Sequence, residues 1–593
     1  MIPDRIQRLR EAMQAGNVQA CIIPTTDPHI GEYTPDCWKT RRWISGFTGS
    51  AGTVLVTTGK AGLWTDSRYF LQAEEELRGT GIDLFKAGLP GTPSPEEWLS
   101  AELSPGDTVG FEGAVFAASE ALALIASFNS RGIRVNPAFA PYDRIWDDRP
   151  PKPHNEPFIL PESFAGKSVR SKIECLREEM RKLGGNLTLL ASLDMIAWLF
   201  NLRGTDIPYN PVALAYALVS EKEARLFVQR QKLSPAAAEY LREQGVTLDD
   251  YGKTAACLAA CDAHDTVVIA PDKINYHLYT SIPDRCKLVK VPVHPVDFLK
   301  AVKNETERSG FRRAMQTDGV ALVKFLCWLD KQLATGQPLT ELEVSDRLSA
   351  FRKESEAFFG ESFETIAAYG AHGAIVHYAA RPETNASILP EGVLLLDSGG
   401  HYPYGTTDIT RTLATGPVSD EMKRDYTLVL KGNIQLSRAV FPKGTVGMQL
   451  DVLARQFLWK AGQNFLHGTG HGVGHFLNVH EGPQSIRMNY NPNPLLPGMV
   501  VSNEPGIYKA GRYGIRIENL LLVVPYETAG DGEYCAFEVL TLCPIDTRLI
   551  DRSLMSVEEI RWLDDYHQKV YRQLSPLLPE EEKEWLKSTL KKD

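Results

Sequence analysis

Four stretches in the second half of the chain carry carboxylates and imidazoles at spacings that could do chemistry. In VLLLDSGGHYPYGTTDITRT an apolar strand pattern ends at Asp397, a connection containing glycine and proline follows, and a β-branched strand pattern carries Asp408. If the two strands pair as a hairpin, the aspartates can face one another across it. Opposed carboxylates repel unless they are protonated or bridged by a cation. The plain alternative is one aspartate at a strand end and another in a turn. The second stretch, HGTGHGVGHFLNVHEG, places His467, His471, His475 and His480 within fourteen residues. His467 and His471 are four apart, but Gly468, Gly470, Gly472 and Gly474 oppose a helix, so the helical HExxH zinc arrangement does not apply. Val473 and His475 also break a GxGxxG pattern, and no Gly-Lys-Ser/Thr sequence of the chain has the upstream glycine of a phosphate loop. What remains is backbone that must approach something closely, lined by imidazoles suited to ligating a metal or polarising a substrate.

The other two stretches each offer a glutamate. Glu504 closes the apolar strand pattern of GMVVSNEPG, and Glu518 lies inside YGIRIENLLLVV. Read as one strand, the latter puts Ile515 and Ile517 on one face and Arg516, Glu518 and Leu520 on the other. Charges within so apolar a strand need partners, and an Arg516–Glu518 pair is the simplest one. Four carboxylates and an imidazole gathered in one place would repel one another until they took up protons, unless cations intervened. Two divalent ions would balance four negative charges and leave room for a bridging hydroxide. Oxygen-rich ligation with one nitrogen suits Mn²⁺, Fe²⁺, Co²⁺ or Zn²⁺ and excludes thiolate sites.

The motifs LLLDSG, GTTDITRT, HGTGHGVGHFLNVHEGP, SNEPGIY and GIRIEN, in this order, resemble the pita-bread (M24) metallopeptidase family. SGFTGSAGT from Ser45, TDSRYFLQA from Thr65, AWLFNLRG from Ala197 and GAIVHY from Gly373 extend the likeness to its large three-domain cytosolic Xaa-Pro aminopeptidases, over nearly the whole chain. The resemblance implies that Asp397, Asp408, His471, Glu504 and Glu518 ligate two divalent ions, most often Mn²⁺ with Zn²⁺ or Co²⁺ possible, and that Asp408 and Glu518 bridge them. It implies that Glu504 is also the proton carrier and that His377, His467 and His480 are active-site histidines outside the ligand set. Tyr508 and Arg516 would stand beside the proline pocket. The implied activity is hydrolysis of the bond between an N-terminal residue and a proline at position two, through a hydroxide bridging the metal pair. A prolidase acting on Xaa-Pro dipeptides is the alternative on the same fold, and a non-catalytic peptide-binding scaffold is a further one. Ser502 and Asn503 stand where relatives often carry threonine and aspartate, and His475 where a relative may have a small residue.

These side chains must be positioned by a large α/β (α+β) protein. Its 593 residues are 43% apolar and 23% charged, ordinary for a globular chain and enough for several domains. The segment from residue 301 holds eight of the thirteen histidines. Residues 141–161 carry six prolines and read as an extended linker. Near residue 300, Asn304 with Glu307 forms a capping-box pattern ahead of the helical spacing Phe311, Met315, Leu322, Phe325, Leu329. Residues 16–70 and 185–228 share their order of features: Gly-Asn, an apolar strand, a tryptophan-led stretch ending in glycine, then a second strand. Together these predict an α/β domain over 1–150, its duplicate over 156–300 and a third domain over 301–593; the resemblance implies that the first two are creatinase/prolidase N-terminal-like and the third is the catalytic pita-bread domain. A net charge of −10 argues against nucleic acid and anionic membranes as partners. No apolar run reaches the length of a membrane span, and the N-terminus lacks the apolar core of a signal peptide. Nine scattered cysteines show no disulfide or zinc spacing, so the expected location is the cytoplasm, with a homodimer implied by the resemblance.

Overall fold

The computed structural model describes residues 1–590, which divide into two compact units. One is Met1–Glu162 with Lys167–Phe298, and the other joins Ser163–Gly166 to the chain from Leu299 onward.

The first unit is built on two six-stranded sheets. In the first, the strands Ala20–Ile23, Thr53–Thr57, Ala61–Thr65, Asp83–Lys86, Thr108–Gly110 and Arg134–Asn136, counted along the chain, lie in the spatial order 4-3-2-1-5-6. The strands Leu187–Leu190, Ala215–Ser220, Ala224–Val228, Val246–Asp250, Thr266–Ile269 and Lys287–Lys290 repeat that order in the second. Strand senses repeat as well: the first three strands pair antiparallel with one another, and the remaining joints are parallel. Agreement in order and sense at every joint supports an internal duplication. The first strand of each sheet is buried at every position, as expected where helices cover both faces. Helices Ile2–Ala15 and Val169–Lys182 supply such cover, burying Ile6, Leu9 and Met13 in one and Ile173, Leu176 and Met180 in the other at helical spacing.

The proline-rich stretch differs from an extended linker. Pro141 leads a short helix, Tyr142–Ile145, where its missing N–H costs nothing, and Trp146 stacks on Trp43 at 5.2 Å within the first core. From Asp147 to Pro157 there is neither helix nor strand.

In the second unit the Asn304 side chain accepts from the Glu307 N–H at 3.0 Å while Glu307 accepts from the Asn304 N–H at 2.9 Å. This capping box opens helix Glu305–Thr335, whose Phe311, Met315, Leu322, Phe325 and Leu329 are buried. A six-stranded antiparallel sheet runs Val440–Pro442, Tyr534–Val539, Asn519–Tyr526, Val500–Asn503, Gly470–Gly472, Glu481–Ile486 in spatial order. A three-stranded sheet of Ile366–Tyr369, Val393–Ser398 and Ile409–Ala414 and a hairpin of Gly506–Lys509 with Tyr513–Arg516 complete the scaffold of the site. Helix Asp420–Ser437 lays Tyr426, Val429, Leu430 and Ile434 into one core with Val500, Ile515, Ile517, Leu520 and Leu522. Each such side chain contributes about 1.5–3 kcal/mol on burial.

Two local readings are corrected. Tyr513–Val524 is not one strand: Tyr513–Arg516 belongs to the hairpin, Asn519–Tyr526 to the large sheet, and Glu518 sits at the crossing. Arg411 Nη1 holds the Glu518 carbonyl at 2.7 Å there, a tertiary contact that alternation along the chain cannot encode. The strands bearing Asp397 and Asp408 do pair, but Asp397 faces Thr410, and Asp408 precedes its strand. Between them Gly400–Tyr402 and Gly405–Thr406 turn away into a separate small sheet, which shifts the register.

Candidate metal centre

Asp408, His471 and Glu518 each offer a ligand atom, and these atoms lie within 4.8 Å of one another. His471 sits mid-strand at a register irregularity between itself and Gly472. Its flanking glycines are needed for close approach: a methyl group on Gly470 would collide with the Ser502 carbonyl, and one on Gly472 would come within 2.7 Å of the Glu481 carbonyl. His471 Nδ1 lies 2.9 Å from the Gly472 carbonyl, which assigns the hydrogen to Nδ1. Nε2 is thereby directed at carboxylates, 3.4 Å from Asp408 Oδ2 and 3.4 Å from Glu504 Oε1. Glu504 follows strand Val500–Asn503, fixed by its N–H to the Thr469 carbonyl at 2.8 Å and by Ser502 Oγ to its Oε1 at 3.1 Å. Glu518 donates its N–H to the Thr410 carbonyl at 3.0 Å, and its Oε2 accepts from Thr410 Oγ1 at 2.8 Å.

Asp397 enters the cluster through Arg516, whose Nη2 donates to Oδ2 at 2.5 Å. The pair Arg516–Glu518 suggested by the strand pattern is not direct. Arg516 Nε donates instead to Thr410 Oγ1 at 3.1 Å, and Thr410 passes its own hydrogen to Glu518. Burial pushes the Asp397 carboxyl up against the pull of Arg516, with Asp408 adding to the rise. Burial raises Glu504 to about 7 and lifts Glu518 well above the carboxylate range, where Asp408, Glu504 and Asp397 push it further. Burial alone would lower His471, but Asp408 and Glu504 outweigh it and bring the imidazole to about 9.

This donor set fits divalent cations. Asp397 Oδ1 and Glu518 Oε1 are buried without hydrogen-bond partners, which hydrogen-bonded structural carboxylates would not leave. The atoms on offer are carboxylate oxygens and one imidazole nitrogen, with a second shell of Thr410, Ser502 and Gly472 fixing their orientation.

Around the cluster, the His480 ring meets His471 edge-to-face at 4.5 Å. Arg516 Nη1 donates to Tyr508 Oη at 2.8 Å, so the Tyr508 hydroxyl donates to His467 Nε2 at 2.8 Å. His467 Nδ1–H then points to the Gly468 carbonyl at 2.7 Å. Burial raises the Tyr508 hydroxyl to about 12 although Arg516 opposes it, keeping it a donor at neutral pH. His377 is half-buried in the turn after Gly370–Ala374. That segment packs on the hairpin where Gly373 meets Gly514, an approach that a side chain on either would block. His475 is buried with its ring edge on Phe311, 5.7 Å between centroids, and packs against helix Glu305–Thr335. Sequence reasoning passed over Thr410 and Asn433. Thr410 had a signal in the Thr-x-Thr alternation beside Asp408; Asn433 was visible as an amide on an otherwise apolar helical face.

Family models match in four places: "Metallopeptidase family M24" over 309–525, the C-terminal region of that peptidase over 533–592, and two creatinase/prolidase N-terminal domains over 5–143 and 148–307. The chain belongs to metallopeptidase family M24. A probable Xaa-Pro aminopeptidase P of Laccaria bicolor is 42% identical over 98% of this chain and 92% of its own. Aminopeptidase P2 of Arabidopsis thaliana is 40% identical over 95% of this chain and 84% of its own. The crystal structure of X-prolyl aminopeptidase from Caenorhabditis elegans, a cytosolic enzyme with a di-nuclear active site, superposes with a TM-score of 0.96 at 34% identity and covers 100% of both chains.

Proposed function

We propose that this chain is an Xaa-Pro aminopeptidase, a metal-dependent hydrolase that cuts between an N-terminal residue and a proline at position two of a peptide. The observation that carries the reading is the convergence of Asp408, His471 and Glu518 ligand atoms within 4.8 Å, in a chain whose full-length relatives bear that name. We assign the site two divalent ions, Mn²⁺ first with Zn²⁺ or Co²⁺ as alternatives, held by Asp397, Asp408, His471, Glu504 and Glu518. When bound, such ions supply Lewis acidity, lowering the pKa of water toward 7 and polarising the scissile carbonyl.

The rest of the chemistry falls to the chain. Glu504 can take a proton from water and return it to the departing nitrogen. His377 and His480 would hold the carbonyl oxygen as negative charge develops there. His467 fixes the Tyr508 hydroxyl, and Tyr508 with Arg516 forms the wall against which a proline ring would lie. The nitrogen of proline carries no hydrogen, so recognition must be by ring shape, not by a donated N–H.

We extend the proposal to location, assembly and domain limits. All nine cysteines are free, which suits a reducing cytoplasm, and among the described residues no helix is long and apolar enough to cross a membrane. A homodimer is supported by Met448, Val452 and Trp459, 39%, 42% and 46% exposed on one face of helix Gly447–Lys460. The working domains are 1–150, 156–300 and 301–593. The deciding experiment strips the protein of metal, adds back single divalent ions, and follows release of the first residue from a proline-second pentapeptide and from the matching dipeptide. Metal-dependent cleavage of the pentapeptide is expected. Cleavage of the dipeptide alone would make the protein a prolidase, and cleavage of neither would reject the assignment.

A further inference from the structure

We infer that Asn433 and Asn503 form a side-chain clasp that sets the spacing of Glu504 and Glu518 and so tunes metal affinity; this rests on the metal-centre reading above. Asn433 is fully buried in the middle of helix Asp420–Ser437. Its Nδ2 donates to two carbonyls at once, Asn503 O at 2.9 Å and Ile517 O at 3.0 Å. Those carbonyls belong to the residues immediately before Glu504 and Glu518. In return Asn503 Nδ2 donates to the Asn433 carbonyl at 2.9 Å and to Ser437 Oγ at 3.0 Å. Because three of the four acceptors are carbonyl oxygens, each amide can face its partners only with its NH₂ end.

The pair is hard to explain by fold stability. Asparagine is a poor residue for a helix interior. Both amide oxygens, Asn433 Oδ1 and Asn503 Oδ1, are buried without a hydrogen-bond partner, an arrangement that proteins usually avoid. The chain retains two donors and tolerates two orphaned acceptors. What the donors accomplish is geometric: one planar NH₂ group fixes the distance between a carbonyl at the end of strand Val500–Asn503 and one in the crossing before strand Asn519–Tyr526, each just ahead of a carboxylate. Strand pairing brings Asn503 opposite Asn519 but leaves Ile517 and Glu518 beyond the ladder. Asn433 ties down that free end, while Arg411 Nη1 holds the Glu518 carbonyl. Neither asparagine touches substrate or ion, so both are positioning residues.

The test uses full-length protein stripped by chelator and titrated with Co²⁺, read by calorimetry and by the visible absorption of the bound ion. Asn433→Leu keeps the branched shape of the side chain and raises helix propensity while removing both donors. Asn503→Ala removes the donors of the second side chain without adding a charge beside Glu504. Each folded variant, checked by far-UV circular dichroism and a cooperative urea transition, should bind Co²⁺ about 10–100-fold more weakly with an altered absorption band. Excess Co²⁺ should restore most of kcat with KM for peptide little changed. If Asn433→Leu does not fold, Asn503→Ala decides alone. A folded variant with wild-type Co²⁺ affinity and an unchanged band overturns the clasp. Wild-type protein that takes up no Co²⁺ overturns the metal-centre reading itself, and the clasp with it.

Discussion

Loading the metal-stripped protein with divalent ions should release protons in a number that the site's electrostatics specify. His471 is held near 9 by Asp408 and Glu504 against burial, Glu504 is raised by burial to about 7, and Glu518 is pushed well above the carboxylate range. At pH 7.5 the His471 ring is almost wholly protonated and Glu504 about one quarter so, while Glu518 is biased toward its protonated form. A ligand must give up its proton to bind, so His471 and Glu504 together should release about one proton per chain at pH 7.5 and about two at pH 6, with Glu518 adding to both. The sign follows from the direction of the shifts: these groups gain protons in the folded, metal-free chain, so apparent affinity falls as pH falls. Its steepness is at least that proton count, about 10-fold weaker binding or more per pH unit near pH 7.5 and about 100-fold or more near pH 6. Isothermal titration of Mn²⁺ or Co²⁺ in buffers of different ionisation enthalpy reads the number directly. Binding that releases no proton at pH 6 would mean that these carboxylates do not share a site with His471, and the reasoning would fail.

Further outcomes can be checked separately. Asp408→Asn should lower turnover by about 10³-fold or more and reduce bound metal with the fold intact; wild-type hydrolysis would remove Asp408 from the centre. His480→Ala should retain its metal yet lose about 10²–10³ in kcat, and metal loss there would mark His480 as a ligand. Trp459→Glu should convert a dimer to a monomer in sedimentation, since a buried interfacial tryptophan typically carries at least ~2 kcal/mol; wild-type protein sedimenting as a monomer would refute the dimer. Burial holds the His294 ring at about 3, where Nδ1 accepts the Val296 N–H. Below pH 6.5 the unfolded chain takes up a proton that the fold refuses, so His294 costs stability at about 1.4 kcal/mol per pH unit as pH falls toward 3. His294→Gln should flatten the pH dependence of urea unfolding by that amount between pH 6 and 4, and an unchanged slope would contradict it.

The legible parts of this protein are those whose signal is local. Asn304 and Glu307 announce the helix start because a capping box is closed within one turn. Gly470 and Gly472 beside His471 are readable as close-approach positions because each has a backbone oxygen of a neighbouring strand where its side chain would be. Tertiary determinants were not readable. The alternation of Tyr513–Val524 says strand throughout, and nothing local shows that the chain changes sheets at Glu518, since the cause is a guanidinium from Arg411 more than a hundred positions away. Asp397 and Asp408 were visible as a pair but not in register, because the intervening residues leave to form another sheet. Asn433 showed as an amide on an apolar helical face, but its partners did not, because its two acceptors lie seventy and eighty-four positions further on.

The buried guanidinium of Arg516 explains how so acidic a cluster can exist in a folded chain. Isolated buried carboxylates either neutralise or unfold their surroundings. Here one cation, itself fully buried, pairs with Asp397 and stiffens Thr410 against Glu518, so two of the acids are held without a metal. It also anchors Tyr508, which links the charge balance of the metal site to the wall proposed for the proline ring. Lysine could not replace it. A single ammonium cannot reach Asp397, Thr410 and Tyr508 through separate N–H groups in one plane, whereas the guanidinium fork does so with Nη2, Nε and Nη1. The same side chain therefore orders Asp397, Thr410 with Glu518, and Tyr508 through one rigid planar group.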